Sequence, residues 1–161
     1  MFKKFIGVLG GTVLALSLVG VAVSSTAGAS APPGKVTIQV ATAIPPHSAV
    51  VNTAAPGGTA GPLYGVLYCS TTTVVTITTK KCIELVSSSD VYLYASKTAG
   101  ATFSGHQNLT GGGYTDSTPN ATYGTHAYTA GGSFSNSTAY CNTLWKHNST
   151  GGYRNMGSVC T

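Results

Sequence analysis

The chain has 161 residues, and eight basic against three acidic side chains leave a formal charge of +5 with only 7% of residues charged. So few charges exclude a coiled coil, a salt-bridged solvent helix, a polybasic nucleic-acid arm and a charged disordered tail. Hydrophobic residues stand at an ordinary 42%, so charge has been replaced by Ser, Thr, Gly, Asn and Tyr, which suit strands and turns.

At the N-terminus Lys3 and Lys4 precede an apolar stretch from Phe5 to Val23, and small residues follow. This is the layout of a secretory signal peptide spanning residues 1–29, cleaved after the Ala27-Gly28-Ala29 triplet, with Ala31 marking a second candidate site. The competing reading is an uncleaved anchor, since an apolar stretch of about 19 residues can just span a bilayer. Five Gly and Ser residues interrupt it, and no second apolar span, lipid-accepting Cys or hydrophobic tail follows. No membrane association is expected after cleavage.

Residues 30–161 are expected to form one secreted β-rich domain. Six basic residues (Lys35, Lys80, Lys81, Lys97, Lys146 and Arg154) minus three acidic ones (Glu84, Asp90 and Asp116) give it a charge of +3. Such a weak field does not suit nucleic acid, whose binding rests on many neutralised phosphates.

Residues 30–62 read as a Pro/Gly-rich strand and loop. Val36, Ile38 and Val40 alternate with Lys35, Thr37 and Gln39, giving a half-buried strand over Lys35–Ala41. Prolines 45, 46, 56 and 62 and glycines 57, 58 and 61 then predict a loop from Thr42 to Leu63.

Residues 63–102 read as the core sheet, with strands over Leu63–Cys69, Thr73–Thr79, Cys82–Val86 and Val91–Ala95 and a turn at Ser87–Asp90. Alternation places Tyr64 and Tyr68 opposite Leu63 and Leu67, and Tyr92 and Tyr94 opposite Val91 and Leu93. All four tyrosines are therefore expected on one outward face.

Residues 103–161 are rich in Gly, Thr, Ser, Asn and Tyr, and so few aliphatics remain that aromatics must do the packing. A loose repeat runs through them: His106 with Gly111, Gly112 and Tyr114; His126 with Gly131, Gly132 and Phe134; His147 with Gly151, Gly152 and Tyr153. Glycine pairs reach the positive φ of tight turns, so three related hairpins are expected. A disordered low-complexity segment is the competing reading.

Cys69, Cys82, Cys141 and Cys160 form an even set in an exported chain and predict two disulfides. Three pairings are possible. The sequential one, Cys69 with Cys82 and Cys141 with Cys160, is favoured because each pair flanks a hairpin-sized segment. The fold class expected is thus all-β: a small disulfide-stabilised antiparallel sandwich or twisted sheet with Gly-rich hairpin extensions.

Catalytic patterns are scarce. Glycoside hydrolysis needs two carboxylates at one bond, and Glu84 reads as a solvent-facing charge while Asp90 and Asp116 read as turn residues. No G-x-S-x-G pentapeptide occurs, and Ser104, His106 and Asp116 carry no further triad signature. His106, His126 and His147 could hold Zn²⁺ or Cu²⁺ only by converging from three hairpins, so no metal and no cofactor is expected. The N-x-[ST] triplets at Asn108, Asn120, Asn136 and Asn148 matter only in a eukaryotic secretory pathway.

The positive signal is aromatic: Tyr64, Tyr68, Tyr92, Tyr94 and Trp145, with Tyr114, Tyr123, Tyr128, Tyr140 and Tyr153 among amides and hydroxyls. Flat rings beside such groups suit sugars, and Tyr and Trp favour recognition surfaces. The expectation is a non-catalytic binding module for an extracellular polysaccharide or cell-surface component. The alternative is a small secreted antimicrobial or enzyme-inhibitor protein.

Overall fold

A computed structural model of the chain describes residues 36–41, 49–51 and 63–161. The expected leader and its cleavage site lie outside the described residues. Eleven strands are present and no helix among the described residues: β1 (Thr37–Val40), β2 (Ala49–Val51), β3 (Val66–Val74), β4 (Ile77–Leu85), β5 (Asp90–Ala99), β6 (Phe103–Gly111), β7 (Tyr114–Ser117), β8 (Ala121–Tyr123), β9 (Thr125–Gly131), β10 (Cys141–His147) and β11 (Tyr153–Cys160). They form a six-stranded sheet in the order β1-β9-β5-β4-β3-β2 and a five-stranded sheet in the order β11-β10-β6-β7, with β8 also on β6. Every pairing is antiparallel except the short β2 against β3.

Alternation in the sequence becomes a shared core. Tyr68, Ile83, Leu93 and Tyr128 are aligned across β3, β4, β5 and β9, and they pack with Leu109, Tyr114 and Val159 of the other sheet. A second cluster joins Ile77 and Ala95 to Phe103, Tyr123, Leu144 and Met156. The opposite face of the six-stranded sheet carries a third, of Leu67, Cys69, Cys82 and Tyr92. Aromatics do replace aliphatics in the second half, since Tyr114, Tyr123, Tyr128, Phe134 and Tyr140 are all buried.

Polar groups cross between the sheets as well. Asn142 on β10 donates through Nδ2 to the carbonyls of Cys82 and Tyr94, at 2.9 and 3.1 Å, and to Gln107 Oε1 at 2.8 Å. Lys81 on β4 has no solvent exposure; its Nζ donates to Met156 O at 3.0 Å and to Thr79 Oγ1 at 3.1 Å. Burial without a carboxylate partner lowers its pKa to about 8.

Both disulfides form in sequential order, Cys69–Cys82 and Cys141–Cys160. Each joins directly opposed residues of neighbouring strands, so it fixes register as well as loop closure.

Several expected details differ. The expected strand Thr73–Thr79 is instead a hairpin corner, because Val74 pairs with Ile77 and the chain turns at Val75 and Thr76. Strand β2 falls inside the expected loop: its pairing to the edge of β3 overrides the Pro and Gly signals around it. Glu84 is fully buried on central strand β4, aligned with Leu67 and Tyr92, so it is not the solvent-facing charge its residue type suggested.

Two of the three repeats are hairpins. Gly112 and Gly113, at φ 59° and 84°, make the two-residue turn between β6 and β7, and residues 148–152 join β10 to β11. The middle one is not. Strand β9 lies between β1 and β5, and after Gly131 the chain passes Ser88 and Ser89, where Phe134 and Gly132 donate backbone bonds, on its way to the other sheet.

Candidate functional site

The outer face of the five-stranded sheet is set by simple alternation. On β6, Phe103, Gly105, Gln107 and Leu109 are buried while Ser104, His106, Asn108 and Thr110 point the other way. On β10, Asn142 and Leu144 are buried and Thr143, Trp145 and His147 face outward. Registration then places Trp145 directly opposite His106 on one side and Asn155 on the other, with Thr143 opposite Asn108 and His147 opposite Tyr153.

Two local features aim Trp145. The β10–β11 pairing slips between Thr143 and Trp145, and such irregularities re-aim a side chain. On the other side Gly105 lets β6 approach closely, because a Cβ there would run into the Trp145 carbonyl oxygen.

The result is a groove of about 570 Å³ with His106, Asn108, Pro119, Asn120, Trp145 and Tyr153 on its walls. Tyr153 is 46% exposed and its ring is edge-on with that of His106, with centroids 4.6 Å apart, while the His147 ring lies tilted to it at 5.2 Å. Asn120 ties the wall together: its Oδ1 is 3.2 Å from His106 Nδ1, and its Nδ2 donates to the Tyr153 hydroxyl at 3.4 Å. Asn108 donates to Ser117 Oγ at 3.3 Å, and its own Oδ1, buried in the wall, accepts no hydrogen bond among the described residues.

Of the five residues expected to bind the ligand, Tyr64, Tyr68, Tyr92, Tyr94 and Trp145, Trp145 alone lies in this groove. The four tyrosines do not share an outward face. Tyr68 is aligned with Ile83 and Leu93 in the core between the sheets, whereas Tyr92 and Tyr94 are aligned with Glu84 and Cys82 on the opposite face. Tyr92 is inaccessible and Tyr94 half-buried; Tyr64 is exposed and donates to Phe134 O at 3.4 Å. The expectation assumed that aliphatic sides meet aliphatic sides, but a tyrosine ring buries as much apolar area as a leucine, and register placed Tyr68 among Val, Ile and Leu. Desolvation pushes Tyr92 up to about 12, helped by Tyr94 and Glu84, and burial raises Tyr123 and Tyr128 as well.

The three histidines do not converge. His106 and His147 flank Tyr153, while His126 on β9 in the other sheet has Nε2 2.8 Å from Thr122 O. Among the described residues no group of three His, Cys, Asp or Glu side chains is placed to hold a metal ion. Glu84, Asp90 and Asp116 are on β4, β5 and β7, and Asp90 takes hydrogen bonds from Ser87 and Ser89.

His106, Asn108, Asn120 and Tyr153 are the groove residues the sequence reading did not assemble. Period-two alternation over 103–111 marks His106 and Asn108 as outward, whereas Asn120 precedes β8 and Tyr153 starts β11. Which strands would lie side by side was the missing information. No protein-family model matches the chain, and no curated protein or solved structure is significantly similar to it.

Proposed function

We propose that this chain is a secreted, non-catalytic binding module, a disulfide-stabilised β-sandwich released by cleavage of residues 1–29, whose ligand is an extracellular or cell-envelope polysaccharide. The observation that carries the reading is the groove in which Trp145 and Tyr153 stand beside the amides of Asn108 and Asn120. A sugar ring has an apolar CH face and a rim of hydroxyls. The two aromatic rings suit the face, and Asn108, Asn120 and His106 supply donors and acceptors for the rim. The two disulfides are compatible with an oxidising, extracellular setting.

Pull-down of the purified protein on insoluble cellulose, chitin and peptidoglycan tests the reading, with Trp145→Ala, Tyr153→Ala and Tyr64→Ala compared with wild type. Truncating an aromatic anchor typically costs at least about 2 kcal/mol, roughly thirtyfold in affinity. Retention should fall for the two groove variants and persist for Tyr64→Ala, which lies outside the groove. Equal retention of all four proteins would overturn the assignment of this groove.

A further inference from the structure

At the end of the same sheet lies a second pocket, of about 450 Å³, lined by Ser104, Lys146, His147, Ser149, Thr150 and Arg154 among others. Lys146 and Arg154 are directly opposed on β10 and β11. Like charges in that relation repel across Cβ atoms only about 5 Å apart and destabilise a strand pair. Among the described residues neither side chain has an acidic partner. Glu84 is buried seven residues along β4 from Ile77, which lines a small cavity beside Lys146 and Arg154, a span of roughly 23 Å at strand rise. Asp90 starts β5 at that same far end, and Asp116 is opposite Leu109, five residues from Ser104 along β6.

From this placement we infer that the Lys146/Arg154 pocket holds an oxyanion, a carboxylate, sulfate or phosphate, carried by the same polymer whose sugar occupies the Trp145 groove. The inference rests on the polysaccharide reading and narrows it to acidic glycans. Arg154 offers a planar fork for two oxyanion oxygens and Lys146 a mobile point charge, while Ser104, Ser149 and Thr150 add hydroxyl donors. The pocket begins where the groove ends. Ser104 is two residues from His106 on β6 and His147 two from Trp145 on β10, all four on the outer face, whereas Lys146 and Arg154 project from the opposite face at the end of the sheet, beside the β3–β4 corner. Two residues of strand span only about 7 Å, so a chain of sugars leaving the groove over Ser104 and His147 reaches the end of the sheet and must bend round it to meet the two cations.

The test is equilibrium binding of the purified protein to dextran, dextran sulfate, polygalacturonate and a phosphomannan at low ionic strength. Wild type, Trp145→Ala and the double variant Lys146→Gln/Arg154→Gln are compared. Wild type should bind at least one acidic polymer about tenfold or more tighter than neutral dextran, equivalent to about 1.4 kcal/mol, and added salt should shrink that margin. The polymer that gains most identifies the oxyanion. In the double variant the margin should vanish while binding to dextran is unchanged, and its thermal midpoint should hold or rise because a like-charge pair is gone. An acidic preference that survives the double substitution, or equal binding of neutral and acidic polymers by wild type, overturns the inference but leaves the groove intact. Full binding by Trp145→Ala would overturn the groove reading instead, and no binding to any of the polymers overturns both.

Discussion

Lys81 is an ammonium group enclosed between two sheets, with backbone and hydroxyl oxygens but no carboxylate as hydrogen-bond acceptors. Its pKa is lowered from 10.5 to about 8 by desolvation. The sign is the reverse of that for a lysine gaining an acidic partner. Below about pH 8 the folded state carries the full penalty of a buried charge. Between that value and the unfolded pKa the unfolded chain binds more protons, so stability rises with pH. Replacing the ammonium by a thioether in Lys81→Met removes the titration and keeps a similar length. The stability of wild type relative to this variant should therefore increase by on the order of 2 kcal/mol between about pH 8 and pH 10. Tyr92, Tyr123 and Tyr128 act in the opposite direction: each is held above its ordinary value by burial, so each withdraws stability as the unfolded chain begins to ionise near pH 10. Because both proteins keep these tyrosines, their effect cancels in the difference. Urea unfolding of the two proteins across this range is the assay. A difference that is flat, or that falls with pH, would show that Lys81 is not a buried cation in the folded protein.

The corner between β3 and β4 places Val75, a β-branched residue, at φ 59°, in a two-residue turn where glycine is preferred at the first position. Val75→Gly should stabilise the protein by roughly 1 kcal/mol, the strain relieved exceeding the added chain entropy, and loss of stability in denaturant would contradict this. The disulfides should open in a fixed order. Cys69 and Cys82 are each only 2% exposed whereas Cys141 and Cys160 are half-buried, so graded reduction followed by alkylation and peptide mass analysis should label Cys141 and Cys160 first; earlier labelling of Cys69 would refute it.

What could be read in the sequence was whatever depends on neighbours along the chain. The period-two pattern at Val91–Ala95, the serine turn before it and the even cysteine set each appear in the structure close to where they were expected. What depends on pairing between distant strands could not be read. Tyr68 and Tyr92 look alike locally, yet the alignment Tyr68–Ile83–Leu93 puts them on opposite faces of one sheet. The third Gly-Gly repeat turns back on itself and the second does not, because Phe134 and Tyr140 are drawn into the shared core. The groove depends on both kinds of information. The outward direction of His106, Asn108 and Trp145 follows from alternation on β6 and β10, but only the adjacency of those strands brings His106 beside Trp145.

Trp145 is the only tryptophan in the chain, so its emission, excited selectively over tyrosine, reports directly from the groove wall. Titration with soluble oligosaccharides released from a polymer that retains the protein should shift this emission to shorter wavelength and saturate, as a sugar ring covers the half-exposed indole. Binding of the same oligosaccharides, established by calorimetry, with the Trp145 emission unmoved would place the ligand elsewhere and contradict the account.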